Sequence, residues 1–295
     1  MEEFVFNNED FTIIEEIRSG GFGKITKVKN NKTGQIYAAK NINAKGKKLV
    51  DDKMIKQELE VFMKVKGPGI LPFYGFSYHN NEGENYPIIY TEFMENGSLG
   101  ELLRKELAGM HNAKWDNTLK MINIYGIAKT MSFLHRNFVV HKDLKPDNIL
   151  LDNNYYPFIS DFGMSVFSNA EIKSSLSGGT PIFMAPEIYL NNPIDSKVDV
   201  YSFAMLTYEI IVGKEPFREL KNNLFVLWHR ILSGARPTIP STVPECFRQI
   251  ITKSWNKDPS QRPTFDDIVN EIDNGTLMLD NVDIQKLNDY KKTLI

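Results

Sequence analysis

The sequence contains a single cysteine, Cys246, among 295 residues. A disulfide bond needs two cysteines, so a disulfide framework within the chain is excluded, as is usual for proteins of a reducing compartment. Long apolar runs are missing as well: the most apolar stretch, 198–212, carries Asp199 and Glu209, and we interpret it as a buried helix. The acidic first ten residues lack the apolar core of a signal peptide. We therefore expect a cytoplasmic protein without a membrane span.

An excess of charge of one sign is also missing. Thirty-five basic and 37 acidic side chains give a net charge of −2, so nucleic-acid binding through bulk charge is excluded. The shares of apolar and charged residues, 42% and 24%, are ordinary for a globular protein. The length suffices for one large domain or for two lobes, and no internal repeat or low-complexity segment interrupts it.

The first ninety residues favour β-strands. Three runs alternate apolar and polar residues or are rich in β-formers and are predicted as strands, at 11–18, 24–29 and 35–42. Two further predicted strands flank the polar loop 79–86, one before residue 79 and one that ends at 91–94. One helix interrupts them, because apolar residues recur at three- and four-residue spacing from Met54 to Val65. Gly67-Pro68-Gly69 ends that helix.

Helices dominate after Asn96-Gly97. Ser98 is a predicted N-cap, and helices are predicted at 99–107, 121–138 with one apolar stripe, 195–212, 220–233, 244–255 and 264–272. Short β-like pieces are predicted at 149–151 and 156–160, whereas 164–185 lacks periodicity. The pattern indicates a small β-rich lobe, a connector and a larger helical lobe, and we expect a ligand cleft between such lobes.

Gly20-Gly21-Phe22-Gly23 lies between two predicted strands. A glycine-rich hairpin allows backbone N–H groups to approach phosphate oxygens closely. Taken alone, however, this weak motif favours an ordinary hairpin turn.

Lys40 ends an apolar run, Tyr37-Ala38-Ala39, on the third predicted strand. A buried lysine is costly unless it is paired, and Glu58 on the following helix is the candidate partner. Such a pair places an ammonium group where it can meet the phosphates of a nucleotide. Taken alone, however, this piece favours a strand-edge lysine with its charge in solvent.

The strongest signal is the octapeptide 141–148, HKDLKPDN, followed by Asp161-Phe162-Gly163. The carboxylate of Asp143 can orient a hydroxyl nucleophile and accept its proton, and Lys145 can offset charge on a moving phosphoryl group. Asn148 and Asp161 supply the oxygen ligands that Mg²⁺ prefers. A plain turn and a strand end would explain each piece alone, but not both at this spacing.

These motifs resemble those of the eukaryotic protein kinases, and the resemblance covers about residues 11–272. The chain looks most similar to the tyrosine-kinase-like group of serine/threonine kinases. That finer resemblance rests on the segments 179–187 (GTPIFMAPE), 236–237 (RP), 254–259 (SWNKDP) and 261–265 (QRPTF).

The resemblance implies an α+β fold with two lobes: a small antiparallel β-sheet lobe with one helix, and a larger, mainly helical lobe. The implied boundaries are 1–10 for an N-terminal extension, 11–95 for an ATP-binding N-lobe, 96–272 for a catalytic and substrate-binding C-lobe, and 273–295 for a C-terminal tail. We expect the tail, including Leu277, Leu279, Val282, Ile284 and Leu287, to pack as a short helix, with a docking tail as the alternative.

The resemblance also implies a role for individual residues. Asp143, Lys145, Lys40 and Glu58 would be catalytic, and Asn148 and Asp161 would bind Mg²⁺. The nucleotide-binding residues would be Ile17, Gly20, Gly21, Phe22, Gly23, Ile25, Ala38, Lys40, Thr91, Glu92, Met94 and Leu150. Structural roles are implied for three more positions: His141 packing on Phe162, Glu187 pairing with Arg262, and Asp199 bracing the catalytic loop.

The implied activity is transfer of the γ-phosphate of ATP to protein hydroxyls in signalling. Lys145 and Thr180 match the serine/threonine pattern, with dual specificity as an alternative. A pseudokinase scaffold and a small-molecule kinase are the rivals. The catalytic residues are all present, which argues against the first, and only Arg18 and Lys142 support it. The second is disfavoured because 185–187 and the preceding loop resemble a peptide-docking platform.

Among the departures from the family pattern, two bear on activity. Arg18 stands where the family usually has the first glycine of the loop, and Lys142 replaces the arginine that often grips a phosphorylated activation segment. Lysine keeps the charge but lacks the bidentate fork. We expect an upstream kinase or the chain itself to phosphorylate Ser174, Ser175 and Ser177; a merely solvated loop is the alternative.

Overall fold

In a computed structural model, the structure describes residues 4–20, 23–41, 52–79, 87–168, 172, 180–190, 192–220 and 223–295. The chain forms two compact units. The first comprises Met1–Lys66 and Leu71–Glu95, and the second comprises Gly67–Ile70 and Asn96–Ile295. The division after Glu95 agrees with the composition change seen in the sequence, except that the short segment Gly67–Ile70 groups with the second unit.

The first unit is built on a five-stranded antiparallel sheet with the strand order β1-β2-β3-β5-β4. The strands are β1 (Phe11–Gly20), β2 (Gly23–Asn30), β3 (Ile36–Asn41), β4 (Phe73–Ser77) and β5 (Ile88–Glu92). All five predicted strands are therefore present. Ile42, the predicted end of the third strand, lies outside the described residues.

The pleat of β3 gives the sheet two different faces. Tyr37 and Ala39 point to one face, which we call the outer face, and form an apolar cluster there with Val28, Ile88 and Tyr90. Ala38 and Lys40 necessarily point to the opposite face. The helix α1 (Asp52–Lys64) supplies Glu58 to Lys40 and so lies on that opposite face.

The second unit is mostly helical. Its helices are α2 (Leu99–Leu107), α3 (Asn117–Arg136), α4 (Pro186–Tyr189), α5 (Lys197–Val212), α6 (Leu224–Leu232), α7 (Glu245–Ser254), α8 (Phe265–Asp273) and α9 (Ile284–Lys292). Two small antiparallel pairs complete it: β6 (Val139–Val140) with β9 (Val166–Phe167), and β7 (Ile149–Leu151) with β8 (Pro157–Ile159). Together the two units confirm the α+β fold with an antiparallel sheet and a mostly helical part. In the described part of the chain, no helix combines the length and the apolar character that crossing a membrane requires.

Helix boundaries follow the caps. Ser98 caps α2 as predicted, by accepting a hydrogen bond from the backbone N–H of Glu101. The predicted start of α3 at Met121 is wrong, because Asp116 accepts from the N–H of Leu119 and the helix begins at Asn117. The single apolar stripe predicted for α3 is also wrong. The helix packs against β8, α8 and α9, and is therefore buried on nearly all sides.

The C-terminal segment packs onto the second unit, as expected. Leu277, Leu279 and Leu287 are buried, while Ile284 is half exposed at the start of α9. Gly126 permits this packing, because a Cβ there would lie 2.0 Å from the hydroxyl of Tyr290. The preferred packing of the tail is confirmed.

Candidate active site

The octapeptide 141–148 links β6 to β7 and is fixed by Asp199 from helix α5. The two carboxylate oxygens of Asp199 accept the backbone N–H groups of His141 and Lys142, each at 2.8 Å. Lys142 has a φ of 68°, a left-handed conformation that costs free energy in a non-glycine residue. Its hydrogen bond to Asp199 helps to offset that cost. The predicted bracing role of Asp199 is confirmed.

The carboxylate of Asp199 is stabilised in its charged form. Burial alone would raise its pKa, but the hydrogen bond from His135, the charges of His135 and His141 and the His141 amide together lower that pKa below its usual value. Nε2 of His135 lies 2.9 Å from Oδ2 of Asp199. This contact was not predicted, because no local pattern in the sequence marks it. The loop is thus anchored to a buried negative charge.

Asp143 is the centre of a dense polar cluster. The ammonium group of Lys145 lies 2.6 Å from Oδ2 of Asp143, and the amide nitrogen of Asn148 donates to the same oxygen at 3.0 Å. The other oxygen, Oδ1, accepts the backbone N–H of Thr180 at 3.2 Å. The carboxylate is largely buried, with 9% of the side chain exposed. Three donors therefore fix its orientation, as a group that must align a hydroxyl requires.

Asn148 and Asp161 leave the same end of the β7–β8 hairpin. Ile149 pairs with Ile159, and both the N–H and the hydroxyl of Ser160 donate to the carbonyl of Asn148 at 2.9 Å. Asp161 follows Ser160 directly and has a φ of 61°. The sequence therefore brings these two predicted metal ligands to one place in the fold.

The donor set fits Mg²⁺. The amide of Asn148 donates through nitrogen to the carbonyl and the carboxylate of Asp143, and within the described residues its side-chain oxygen accepts no hydrogen bond. An amide oxygen and a carboxylate oxygen are hard ligands, and Mg²⁺ uses few protein ligands because it retains waters and phosphate oxygens. The described residues contain no cluster of three or more His, Cys, Asp or Glu side chains that could enclose a metal ion.

His141 is a structural residue. Its ring lies 5.3 Å from the ring of Phe162, and its Nε2 lies 3.1 Å from the carbonyl of Ser160. The side chain is fully buried. The predicted packing of His141 on Phe162 is confirmed.

In the first unit, Lys40 and Glu58 form the predicted ion pair. The Lys40 ammonium bonds both carboxylate oxygens of Glu58, at 2.8 and 2.9 Å. Only 5% of the Glu58 side chain and 22% of the Lys40 side chain are exposed. The interpretation of Lys40 as a strand-edge lysine with its charge in solvent is therefore wrong.

The predicted nucleotide-binding residues of the first unit surround Lys40 on the sheet. Ile25 is the cross-strand partner of Lys40, and Ala38 is the partner of Thr91, so all four share one face. Glu92 ends β5, and the buried Met94 follows it.

The remaining predicted residues lie at strand ends or in the second unit. Ile17 is on β1 and is 44% exposed, and Gly20 pairs with Gly23 where β1 and β2 meet. Gly21 and Phe22 lie outside the described residues. Leu150 lies on β7 of the second unit. The structure thus groups Ile25, Ala38, Lys40 and Thr91 on one face of the sheet.

Two further contacts support the loop and were not predicted from the sequence. Arg104 of α2 pairs with Asp147 at 2.9 Å, and this hydrogen bond raises the pKa of Arg104. The backbone N–H of Thr180 donates to Oδ1 of Asp143, whereas the sequence marks Thr180 only by its agreement with a family pattern. Neither contact has a local sequence signal, because the partners are 43 and 37 residues apart.

A lysine–glutamate pair beside a β-sheet, together with an Asp-Lys-Asn loop in a helical unit, is the arrangement of a phosphotransferase. Comparison with protein families is consistent with this: the family model of the protein kinase domain matches residues 11–272. The chain belongs to the protein kinase family.

Curated relatives come from several organisms. A probable serine/threonine-protein kinase of Dictyostelium discoideum is 30% identical over 272 residues, which are 91% of this chain and 20% of that protein. The dual specificity protein kinase shkB of the same organism is 31% identical over 236 residues, which are 77% of this chain and 34% of that protein. The serine/threonine-protein kinase TIO of Arabidopsis thaliana is 30% identical over 263 residues, which are 87% of this chain and 18% of that protein. The chain therefore spans about a third or less of the length of these relatives.

Proposed function

We propose that this chain is an ATP-dependent protein kinase that phosphorylates serine and threonine hydroxyls of other proteins. The observation that carries this proposal is the geometry at Asp143. Its carboxylate is held by Lys145, Asn148 and the Thr180 amide, so that one charged group is presented in a single orientation.

In the proposed reaction, Asp143 orients the hydroxyl of the protein substrate and accepts its proton. Lys145, at 2.6 Å from Asp143, neutralises charge that develops on the transferred phosphoryl group. Positioning and electrostatic stabilisation supply most of the catalysis in phosphoryl transfer, because the protein performs little covalent chemistry itself. A cluster in which each donor has a fixed partner suits that task.

Asn148 and Asp161 would hold Mg²⁺ through their side-chain oxygens. Bound there, the metal would neutralise negative charge on the phosphates of ATP. Lys40, held by Glu58, would bind the α- and β-phosphates of ATP. The adenine would contact Ile25, Ala38 and Leu150 and bond the backbone at Glu92 and Met94, with Thr91 behind it and 17–23 over the phosphates.

Serine/threonine specificity is supported by Thr180 and Lys145. Both residues contact Asp143 directly, so both can influence which hydroxyl reaches it. Two relatives named as serine/threonine-protein kinases agree with this assignment. Dual specificity is the second candidate, because the relative shkB is named a dual specificity protein kinase.

A pseudokinase scaffold is less well supported. Such a protein lacks a part of the catalytic machinery, whereas Lys40, Glu58, Asp143, Asn148 and Asp161 are all present. The Lys40–Glu58 pair and the Asp143 cluster are also both formed.

The finer assignments are part of the proposal. Membership of the tyrosine-kinase-like group rests on the segments 179–187 and 254–265, and a role in cytoplasmic signalling rests on the family and on composition. Phosphorylation of Ser174, Ser175 or Ser177 would regulate the enzyme; these serines lie outside the described residues.

The test is phosphate transfer from labelled ATP with Mg²⁺ to a generic protein substrate, followed by phosphoamino-acid analysis. We expect label on serine or threonine, and a loss of about 10²–10⁴-fold in Asp143→Asn, the range typical of general acid–base groups. Label on tyrosine would favour dual specificity. A folded wild type that binds ATP but transfers no label, even after phosphorylation of the three serines, would overturn the proposal in favour of a scaffold.

A further inference from the structure

Residues Phe4–Phe6, which we call the edge segment, cover one edge of the sheet in the first unit. β4 is one of the two edge strands of this sheet, β1 being the other. Val5 forms a parallel bridge with Phe76 of β4, and the N–H of Phe6 donates to the carbonyl of Phe76 at 2.8 Å. An open strand edge leaves backbone groups unpaired, so the edge segment satisfies part of β4.

Gly75 makes room for the edge segment. A Cβ at position 75 would lie 2.6 Å from the carbonyl oxygen of Phe4 and 3.2 Å from the ring of Phe6. Gly75 is not among the residues with positive φ, so alanine suits its backbone conformation. The close approach of the edge segment is therefore what excludes a side chain at this position.

The edge segment reaches both faces of the sheet. The ring of Phe6 lies 5.4 Å from the rings of Phe11 and Tyr90 on the outer face. The ring of Phe4 lies 5.8 Å from that of Phe73. Phe73 pairs with Thr91, and Thr91 pairs with Ala38, so Phe73 lies on the face opposite the outer face. The two phenylalanines thus hold the segment across the edge of the sheet.

Phe4 is connected to the Lys40–Glu58 pair through two aromatic rings. Phe73 stacks on Phe62 of α1, with ring centroids 5.3 Å apart and an interplanar angle of 10°. Phe62 follows Glu58 by one helical turn, so the two side chains leave the same side of α1. A displacement of the Phe4–Phe73–Phe62 column would therefore move the helix that carries Glu58.

We propose that the edge segment is a positioning element of the kinase: Phe4 and Phe73 hold α1 at the place where Glu58 pairs with Lys40. Phe4, Phe73 and Phe62 would act through the position of Glu58 and would not touch the substrates. The inferred effect on ATP rests on the proposed function, whereas the inferred effect on the ion pair does not.

The test uses the full chain with three variants. Gly75→Ala excludes the edge segment by the Cβ clash, and Phe4→Ala removes its contact with Phe73 without altering the sheet. Glu58→Gln breaks the ion pair directly and serves as the reference for a complete loss. Gly126→Ala is the matched control. A Cβ at position 126 would lie 2.0 Å from the hydroxyl of Tyr290, so this variant also disturbs the packing of a terminal segment, but in the second unit.

The first readout needs no activity. The rate of acylation of Lys40 by an N-hydroxysuccinimide ester is followed by mass spectrometry, relative to the exposed Lys253 on α7. An ammonium group bonded to both oxygens of Glu58 is shielded from acylation. We expect several-fold faster labelling of Lys40 in Glu58→Gln, Gly75→Ala and Phe4→Ala, and no change in Gly126→Ala.

The second readout is steady-state kinetics. We expect Gly75→Ala and Phe4→Ala to raise KM for ATP several-fold and to leave KM for a peptide substrate nearly unchanged. In the Gly75→Ala/Glu58→Gln double variant the two effects should not add, because both act on one ion pair.

The outcomes separate the two proposals. A wild type without kinase activity would remove the proposed function, while the labelling of Lys40 still decides the role of the edge segment. If Gly75→Ala and Phe4→Ala lower the melting temperature but leave both the labelling of Lys40 and KM for ATP unchanged, the edge segment only stabilises the sheet and the inference is wrong.

Discussion

Glu187 and Arg262 form a bidentate ion pair in the interior of the second unit. The two nitrogens of the Arg262 guanidinium group lie 2.6 and 2.9 Å from the two oxygens of Glu187. The arginine side chain is 0% exposed and also donates to the carbonyls of Asn256 and Lys197. The pair predicted from the sequence is confirmed, and it joins α4 to the turn before α8.

We predict that Glu187→Gln lowers the free energy of unfolding by about 3–5 kcal/mol, because it leaves a buried guanidinium group without a counter-charge. Urea denaturation at neutral pH measures the change. The control is Glu245→Gln, which breaks the exposed pair with Arg248 and should cost at most about 1 kcal/mol. Equal effects of the two substitutions would contradict a special role of the buried pair.

Asp199 gives a prediction about pH. Its pKa is lowered in the folded protein, so its contribution to stability is complete above its ordinary pKa of about 3.9 and is lost as the pH falls through the lower folded-state value. Asp199→Asn removes this contribution and leaves one of the amide donors of His141 and Lys142 without an acceptor. We expect it to destabilise the fold by about 1–3 kcal/mol at neutral pH.

Urea unfolding of wild type and Asp199→Asn from pH 7 to pH 3 tests the sign. The difference in unfolding free energy should be constant down to about pH 4 and should narrow below it. A difference that narrows between pH 7 and pH 5 would point to another titrating group. Activity should fall as well, since Asp199 holds the backbone two residues from Asp143.

Tyr290 and Tyr189 are expected to respond oppositely to the same substitution. The hydroxyl of Tyr189 is partly buried and donates to the carbonyl of Pro181, whereas that of Tyr290 is buried and has no hydrogen-bond partner within the described residues. Tyr290→Phe should therefore leave stability at neutral pH unchanged or slightly raised, and Tyr189→Phe should lower it by about 0.5–1.5 kcal/mol. Thermal denaturation of both variants measures the difference.

At alkaline pH, the stability of the wild type should differ further from that of Tyr290→Phe. Burial and the charge of Asp152 raise the pKa of Tyr290, so the folded phenol stays neutral while the unfolded one ionises near pH 10. The wild type should lose stability as the pH rises above about 10, and Tyr290→Phe should lose less. An identical decline in both proteins would show that the Tyr290 phenol does not contribute.

Local signals explain which elements were predictable. Ser98 lies just before an apolar helical pattern, and Thr264 begins a capping box with Asp267, so the helices α2 and α8 start where the sequence places them. The catalytic loop was equally recognisable, because its reactive residues Asp143, Lys145 and Asn148 lie within one octapeptide.

Elements that depend on distant partners were not predictable. β9 has only two residues and exists because Val139 and Val140 pair with it. The apolar residues of α3 gave no reliable stripe, since a helix enclosed by other elements has no polar face to define one. The packing of Phe4 against Gly75 was not predictable either, because a glycine in a strand can mark a bulge, a bend or the close approach of another backbone.

The three serines give a prediction for regulation. If phosphorylation at 174, 175 and 177 activates the kinase, the triple alanine variant should have lower peptide-kinase activity than the phosphorylated wild type. The activation should be modest, because Lys142 lacks the fork that grips a phosphate in a bidentate manner. Lys142→Arg should increase it. Unchanged activity in the triple variant would show that these serines are only a solvated loop.

Lys145 provides the most direct test of how Asp143 works. Its ammonium group lies 2.6 Å from Asp143 and is 15% exposed, so it can face both the carboxylate and a transferred phosphoryl group. We predict that Lys145→Met lowers kcat by about 10²–10³-fold, as loss of one charge-stabilising donor does in other enzymes, with little change in KM for ATP. Lys257→Met, a charge removal at an exposed position, is the control and should leave both constants unchanged. A raised KM for ATP with an unchanged kcat would mean that Lys145 assists nucleotide binding and does not stabilise the transition state.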